Sequence, residues 1–388
     1  MIVSILIFLV IFSVIVIGHE FGHYAVARRC GIRVREFMIG MGPVLYQRQG
    51  KETMFSIRVL PFGGACVFAG MEEMYDAAPG ASAGKTESQD ADIDGSAEVL
   101  QGSGGVQTGD LFSGMEDKDP HSYLNASVGA RIATVLAGPI ANFIIGLVIA
   151  IVTVAFCGTD LPVVNQVMEN SAAEEAGLEA GDTITAINGE SIHIYREVQL
   201  WSSMNYGETL KITYERNGEK TTVQATPQYD EEAGRYYIGL IGSGEYLDCG
   251  PLQVFQYGFY EAEYWLRATI KSLELIVRGH FSMDDLSGPV GIVQTVDETY
   301  EVTKQYGLST TILTFMSLTT LLSINLGVMN LLPIPGLDGG RFLLLLAELI
   351  RGKKLSTKME GYITMAGVVA LFAIMAIVMI NDIGRLFR

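Results

Sequence analysis

The sequence predicts a polytopic α-helical membrane protein. It has four transmembrane helices, a re-entrant β-hairpin beside the first, and an inserted mixed α/β domain on the outer side. Three observations predict this. Apolar residues make up 49% of the 388-residue chain, mean hydropathy is +0.31, and only 18% of residues are charged, below the roughly 25% of soluble domains. Four apolar runs approach or exceed the roughly 20 residues that a spanning helix needs. Yet the net charge is −17, from 43 acids against 26 bases, with a pI near 4.7, so apolar and charged residues must be segregated along the chain. Such acidity excludes a nucleic-acid partner by charge, because phosphate binding needs a basic face. Cys30, Cys66, Cys157 and Cys249 lie far apart, with no CxxC pair and no disulfide-scaffold spacing.

The runs are Ile2 to Gly18, Ile132 to Phe156, Thr310 to Leu332 and Gly361 to Ile380. The first has no basic n-region or small-residue cleavage site, and histidines follow at once, so it is expected to be a retained span rather than a signal peptide. Arg28, Arg29, Arg33 and Arg35 follow the first run and Arg131 opens the second; Arg341, Arg351, Lys353, Lys354 and Lys358 separate the third from the fourth. The positive-inside bias puts these connections in the cytoplasm and the 157–309 segment and both termini outside, against a mild violation by Arg385 and Arg388. The chain then divides into a first span (1–30), a hairpin (31–70), an acidic insert (71–128), a second span (129–158), an outer domain (159–246), a helical region (247–308), a third span with a returning segment (309–358), and a fourth span with its tail (359–388).

Glu72 to Asp119 holds twelve acids against Lys85 and Lys118 in a Gly/Ser/Ala-rich stretch. It reads as a disordered, solvated tether. Ahead of it, Val34, Phe37, Ile39, Met41, then Phe55, Ile57 and Val59 alternate about a polar turn at Gln47 to Lys51. That pattern is a hairpin, dipping into the membrane face or lying on it. Gly40, Gly42, Gly63 and Gly64 permit close backbone approach.

His19-Glu20-Phe21-Gly22-His23 is HExxH. On a helix, positions i and i+4 share a face, so both imidazoles can reach one ion with the glutamate beside its water. Catalytic zinc wants three protein ligands and one open position, and ionisable groups at the end of a span are costly enough to point to function. The candidate third ligand is Asp338, in Asn330-Leu-Leu-Pro333-Ile-Pro335-Gly-Leu-Asp338-Gly339-Gly340. Two prolines end the third span there and free backbone groups that lipid cannot satisfy. On local sequence alone Asp338 fits a helix N-cap equally well; the partner histidines favour ligation.

Between the second and third spans, Thr183 to Ile187, Thr209 to Tyr214, Thr221 to Ala225 and Tyr236 to Ile241 alternate, with turns at Asn188-Gly189 and Asn217-Gly218. Residues 160–245 carry fifteen acids against five bases, which disfavours an extended anionic partner. Phe255, Phe259, Ala262, Leu266, Ile270, Leu273 and Val277 then recur at helical spacing near Tyr257, Tyr260, Tyr264 and Trp265. The helix lies at the outer interface or packs on the preceding domain. Cys157 and Cys249 flank the domain and could pair, although their spacing gives no signal for it.

HEFGH in the first span, AGPIANF (Ala137 to Phe143) in the second, SINLGVMNLLPIPGLDGG (Ser323 to Gly340), and SAAEEAGLEAGDTITAING (Ser171 to Gly189) between them resemble the site-2 protease family of zinc intramembrane proteases. The regulator-of-sigma-E-protease branch is the nearest in pattern, and order and spacing match over nearly the whole chain. One PDZ signature where some members have two, and the acidic insert, are departures. The resemblance implies one Zn²⁺ on His19, His23 and Asp338, Glu20 as base, a PDZ fold for the outer domain, a substrate-pairing hairpin, and Asn330 on the substrate backbone or the transition state. For Asn325 and Asn142, helix–helix hydrogen bonding stands beside substrate contact. It further implies a bacterial plasma-membrane enzyme, active towards the cytoplasmic side, cutting membrane-embedded single-span partners such as anti-sigma factors or remnant signal peptides. The PDZ domain, which takes peptides by strand addition, would recruit or gate. A catalytically silent PDZ scaffold is the competing class, and it has no use for Glu20. A metal transporter would want ionisable residues within several spans, and the second to fourth runs hold none.

Overall fold

The computed structural model describes residues 2–71, 119–231, 234–244, 246–280, 288–354 and 356–385, so most of the expected acidic insert lies outside the described residues. Four helices are long and apolar enough to cross a membrane: α1 (Ile2–Arg29), α2 (Val128–Cys157), α7 (Leu308–Leu331) and α9 (Thr357–Arg385). On α1, Phe8, Ile11 and Ile15 are buried while Leu6, Val10 and Val14 are exposed, and both sets are apolar. A helix apolar all round belongs in lipid rather than at an aqueous surface. The chain forms two compact units, residues 1–141, 287–293 and 329–388, and residues 142–286 and 294–328.

In the first unit, α1 leads into β1 (Val34–Gln49) and β2 (Met54–Phe68), an antiparallel pair. The expected hairpin is there, but it is doubled back on itself. Phe37 pairs with Cys66 on one side and with Phe55 on the other, and Tyr46 pairs with Ile57. The result is four short strands in the order 64–68, 34–39, 54–57, 44–49. The folds fall where Gly40, Gly42 and Gly63 have φ of 84°, 88° and 74°, a region that L side chains rarely enter. Residues 119–127 differ from the disordered tether expected over 71–128. Tyr123 is 1% exposed and stacks on Phe68, Arg33 donates to Asp119 at 2.6 Å, and the Tyr123 N–H donates to the Ala69 carbonyl. Tyr123 supplies the apolar area that the acid-rich stretch before it lacks. Beyond α7 the chain unwinds through Pro333 and Pro335 and re-enters helix as α8 (Asp338–Arg351).

In the second unit, a four-stranded antiparallel sheet has the order β5-β4-β6-β7, from β4 (Thr183–Ile187), β5 (Glu190–Ser191), β6 (Leu210–Arg216) and β7 (Glu219–Ala225). Both Asn-Gly turns have left-handed φ at each residue, as a two-residue hairpin loop requires. Ile184, Ile187, Leu210 and Ile212 bury one face of the sheet against α4 (Tyr195–Ser203), which contributes Val198 and Trp201. Ser171 caps the short α3 (Ala172–Glu175). The strand expected at 236–241 is broken into β9 (Arg235–Tyr237), paired with β8 (Gln228–Asp230), and β10 (Leu240–Gly242), paired with β3 (Val164–Val167). The break is Gly239, at φ 88° with its backbone against Ser171.

The expected amphipathic helix is α5 (Pro251–Val277). Leu252, Phe255 and Phe259 are exposed along one face, while Glu261 on the other pairs with Arg196 of α4. The packing expected against the preceding domain is therefore there, and the opposite face keeps its apolar side chains exposed. Helix α6 (Pro289–Thr303) leads to α7. All four cysteines are free, so Cys157 and Cys249 do not pair.

Candidate metal centre

The HExxH segment sits in the last third of α1, with no break before Arg29. The helix projects His19 and His23, 8% and 7% exposed, from one face. Their Nε2 atoms are 3.1 Å apart and the rings meet edge to face. Asp338 arrives from the first turn of α8, its Oδ2 3.1 Å from His19 Nε2 and 3.3 Å from His23 Nε2. Among the described residues, these three are the His/Cys/Asp/Glu group able to hold an ion. The N-cap of α8 is Leu337, so the Asp338 carboxylate points at the histidines rather than capping its own helix.

Why the chain delivers a carboxylate here follows from its small residues. Pro333 and Pro335 stop α7, and Gly336, at φ 96°, turns the chain. A Cβ on Gly339 would overlap the carbonyls of Leu331 and Leu332, and one on Gly340 the carbonyl of Ile334. Only glycine lets α8 start so tightly against the end of α7.

The donor set fits a zinc-sized ion. Tetrahedral bonds of about 2.05 Å put ligand atoms about 3.3 Å apart, close to the three separations here. His23 Nδ1 is 2.8 Å from the Thr134 carbonyl of α2. A carbonyl only accepts, so Nδ1 carries the proton and Nε2 presents its lone pair, the usual arrangement of a ligand histidine. That lone pair, the Nε2 of His19 and a carboxylate oxygen converge on one point, the donor set that a cation between them would satisfy. A carbonyl oxygen has two lone pairs, so that of Thr134 can accept from His23 while remaining part of α2. At Gly138 a Cβ would overlap His23 Nε2 and lie 2.8 Å from His19 Cε1.

Glu20 lies between the ligands in sequence and within electrostatic reach of all three. Its carboxylate accepts from the Cys66 backbone N–H, and its stem passes Gly64, where a Cβ would stand 3.0 Å from Glu20 Cγ. The 64–68 strand therefore borders Glu20. Asn330 is half-buried on the last turn of α7. Asn142 and Asn325 lie in the second unit, where Ser323 Oγ donates to the Asn142 carbonyl at 2.8 Å and Thr269 Oγ1 donates to Asn325 Oδ1. Thr134, Gly138 and the Cys66 N–H were not anticipated. Nothing local marks them, because each matters only through where α2 or the hairpin crosses α1.

Comparison with known proteins places the chain. The model of Peptidase family M50 matches residues 7–374. The zinc metalloprotease RasP of Geobacillus kaustophilus is 33% identical over 99% of this chain and 98% of its own. The regulator of sigma-W protease RasP of Bacillus subtilis is 32% identical, over 99% of each chain. The solved PDZ domain of an SdrC-like protein of Listeria monocytogenes is 22% identical with a TM-score of 0.18, covering 23% of this chain and 90% of that one. The match runs through all four apolar helices and covers nearly all of this chain and of each relative, and the chain belongs to peptidase family M50, the site-2 protease family of zinc metalloproteases.

Proposed function

We propose that His19, His23 and Asp338 hold one zinc ion per chain, that Glu20 is the catalytic base, and that the protein cuts peptide bonds within the membrane-spanning segments of single-span substrates. The observation that carries this reading is the triangle of donor atoms, 3.1 to 3.3 Å on a side, at the end of a helix apolar enough to span a membrane. A zinc ion held by His19, His23 and Asp338 would supply a Lewis acid for the scissile carbonyl and a water of pKa lowered towards ~7. Glu20 takes the proton of the attacking water and passes it to the leaving amine nitrogen. The Cys66 N–H holds that carboxylate in position until substrate arrives.

A substrate helix hides its amides in i→i−4 hydrogen bonds, so it must unwind before attack. The re-entrant hairpin offers the unwound backbone a strand edge at 64–68, beside Glu20. Asn330 contacts the substrate backbone, whereas Asn325, whose amide oxygen accepts from Thr269, and Asn142, whose backbone carbonyl accepts from Ser323, stand at helix–helix contacts. The metal faces the cytoplasmic half of a bacterial plasma membrane and the PDZ-like domain lies outside. A relative named regulator of sigma-W protease favours substrates of the anti-sigma-factor kind, with remnant signal peptides as the other single-span class.

Glu20→Gln tests the mechanism. Glutamine keeps the shape but cannot accept the proton, and positioned acid–base groups contribute about 10²–10⁴-fold. The variant should keep its zinc and cleave a single-span substrate in detergent at least ~100-fold more slowly. Wild-type turnover by Glu20→Gln sinks the assignment of the base.

A further inference from the structure

We propose that Arg131 and Glu348 are a positioning pair for the metal centre, fixing the helix that carries Asp338 against the helix that seats the two histidines. The inference rests on the reading of His19, His23 and Asp338 as zinc ligands. Arg131 Nη1 donates to Glu348 Oε2 at 3.1 Å and Nη2 donates to Oε1 at 2.5 Å. Their side chains are 4% and 7% exposed. This is a two-bond fork, the geometry that only arginine offers a carboxylate.

Stability alone does not account for it. Replacing a buried ion pair by apolar residues of similar volume is often neutral or stabilising, because desolvation offsets the attraction. What the fork supplies is a single alignment of two helices. Arg131 precedes Thr134, the acceptor for His23, by one turn of α2, and Gly138, the floor under both imidazoles, by two turns. Glu348 lies ten residues beyond Asp338 on α8, about 15 Å along the axis and about 80° around it.

The start of α8 is held by Gly339 and Gly340 against the carbonyls that end α7. Leu345 packs the middle of α8 into the core beside Val135, but apolar contact sets no single roll angle, and the two directed bonds of the fork near the far end of α8 do. A roll of about 10° moves a carboxylate about 6 Å from the axis by about 1 Å, against a tolerance of about 0.2 Å in a ligand distance.

The test uses the full-length protein in detergent, with zinc affinity measured by competition against a chelator. Arg131→Lys keeps the charge and loses the fork, and Glu348→Gln keeps the shape and loses the charge. Each should weaken zinc about 10–100-fold, the cost typical of outer-shell partners, and lower kcat on a single-span substrate with KM unchanged. The double variant Arg131→Met/Glu348→Leu separates positioning from filling. Its metal-free form should unfold at the wild-type temperature while zinc remains weakly held. Wild-type zinc affinity in the single variants, or its recovery in the apolar double variant, overturns the proposal. Asp338→Ala is the control. If it binds zinc like wild type, the ligand reading itself fails; if it loses zinc while the pair variants keep it, only the positioning role fails.

Discussion

Gly138 shows how much of a metal centre rests on an absent side chain. It faces the His23 ring at a distance that a methyl group would fill, so Gly138→Ala must displace an imidazole or push α2 away from α1. Overpacking of this kind costs about 1–3 kcal/mol, and here the displaced atom belongs to a proposed zinc ligand. Zinc affinity should fall at least ~10-fold, read by chelator competition, whereas Gly129→Ala, with nothing within 4 Å of its new methyl, should leave it unchanged. Equal zinc binding by the two variants would remove Gly138 from the site. The histidines and Glu20 were legible because their spacing is local. Asp338 was legible only through the partner histidines, since on local sequence it fits a helix N-cap equally well. Gly138 and Thr134 were not, since a small residue and a threonine in an apolar run look the same wherever the helix crosses its neighbour.

Among the elements, three strands of the sheet in the 159–246 domain were read to within two residues at each end, because Asn-Gly turns and strict alternation are local signals. The doubled hairpin was not: a period of two gives the strands but not the second pairing partner of Phe37. Inside the sheet, Asp182 is fully buried and accepts from Arg216 Nε and Nη2 at 2.6 and 2.8 Å and from the Glu179 N–H at 2.8 Å. Burial works to raise the Asp182 carboxyl, but these donors and the Arg216 charge outweigh it and hold the group below its ordinary range. A folded value below the unfolded ~3.9 means that the stabilisation is complete at neutral pH and is lost as pH falls below about 4. Trp201 is 7% exposed in this core, and in a Trp265→Phe background its fluorescence reports the domain. The urea midpoint should be lower at pH 3 than at pH 7, and Arg216→Ala should shrink that difference. An unchanged difference would assign the acid sensitivity to other groups.

At the scale of the whole molecule, orientation was inferred from basic residues near the spans, and the structure changes which of them count. Arg131 is buried against Glu348, Arg33 is tied to Asp119 and Arg28 to Glu52, so none is a free cation for the positive-inside bias. Arg29 at the end of α1, with Arg351, Lys353 and Lys358 between α8 and the body of α9, is exposed and keeps the same sign of bias. Parity does the rest, since four spans return the chain to its starting side. On the proposed orientation Cys30, exposed beside Arg29, would report the inner side, and Ser243→Cys in the 159–246 domain the outer. With Cys66, Cys157 and Cys249 replaced by alanine, a membrane-impermeant maleimide applied to intact cells should modify Ser243→Cys and spare Cys30. Permeabilised cells should show both sites modified. Labelling of Cys30 alone in intact cells would invert the molecule, placing the metal centre towards the outer half of the bilayer and its soluble domain within the cell.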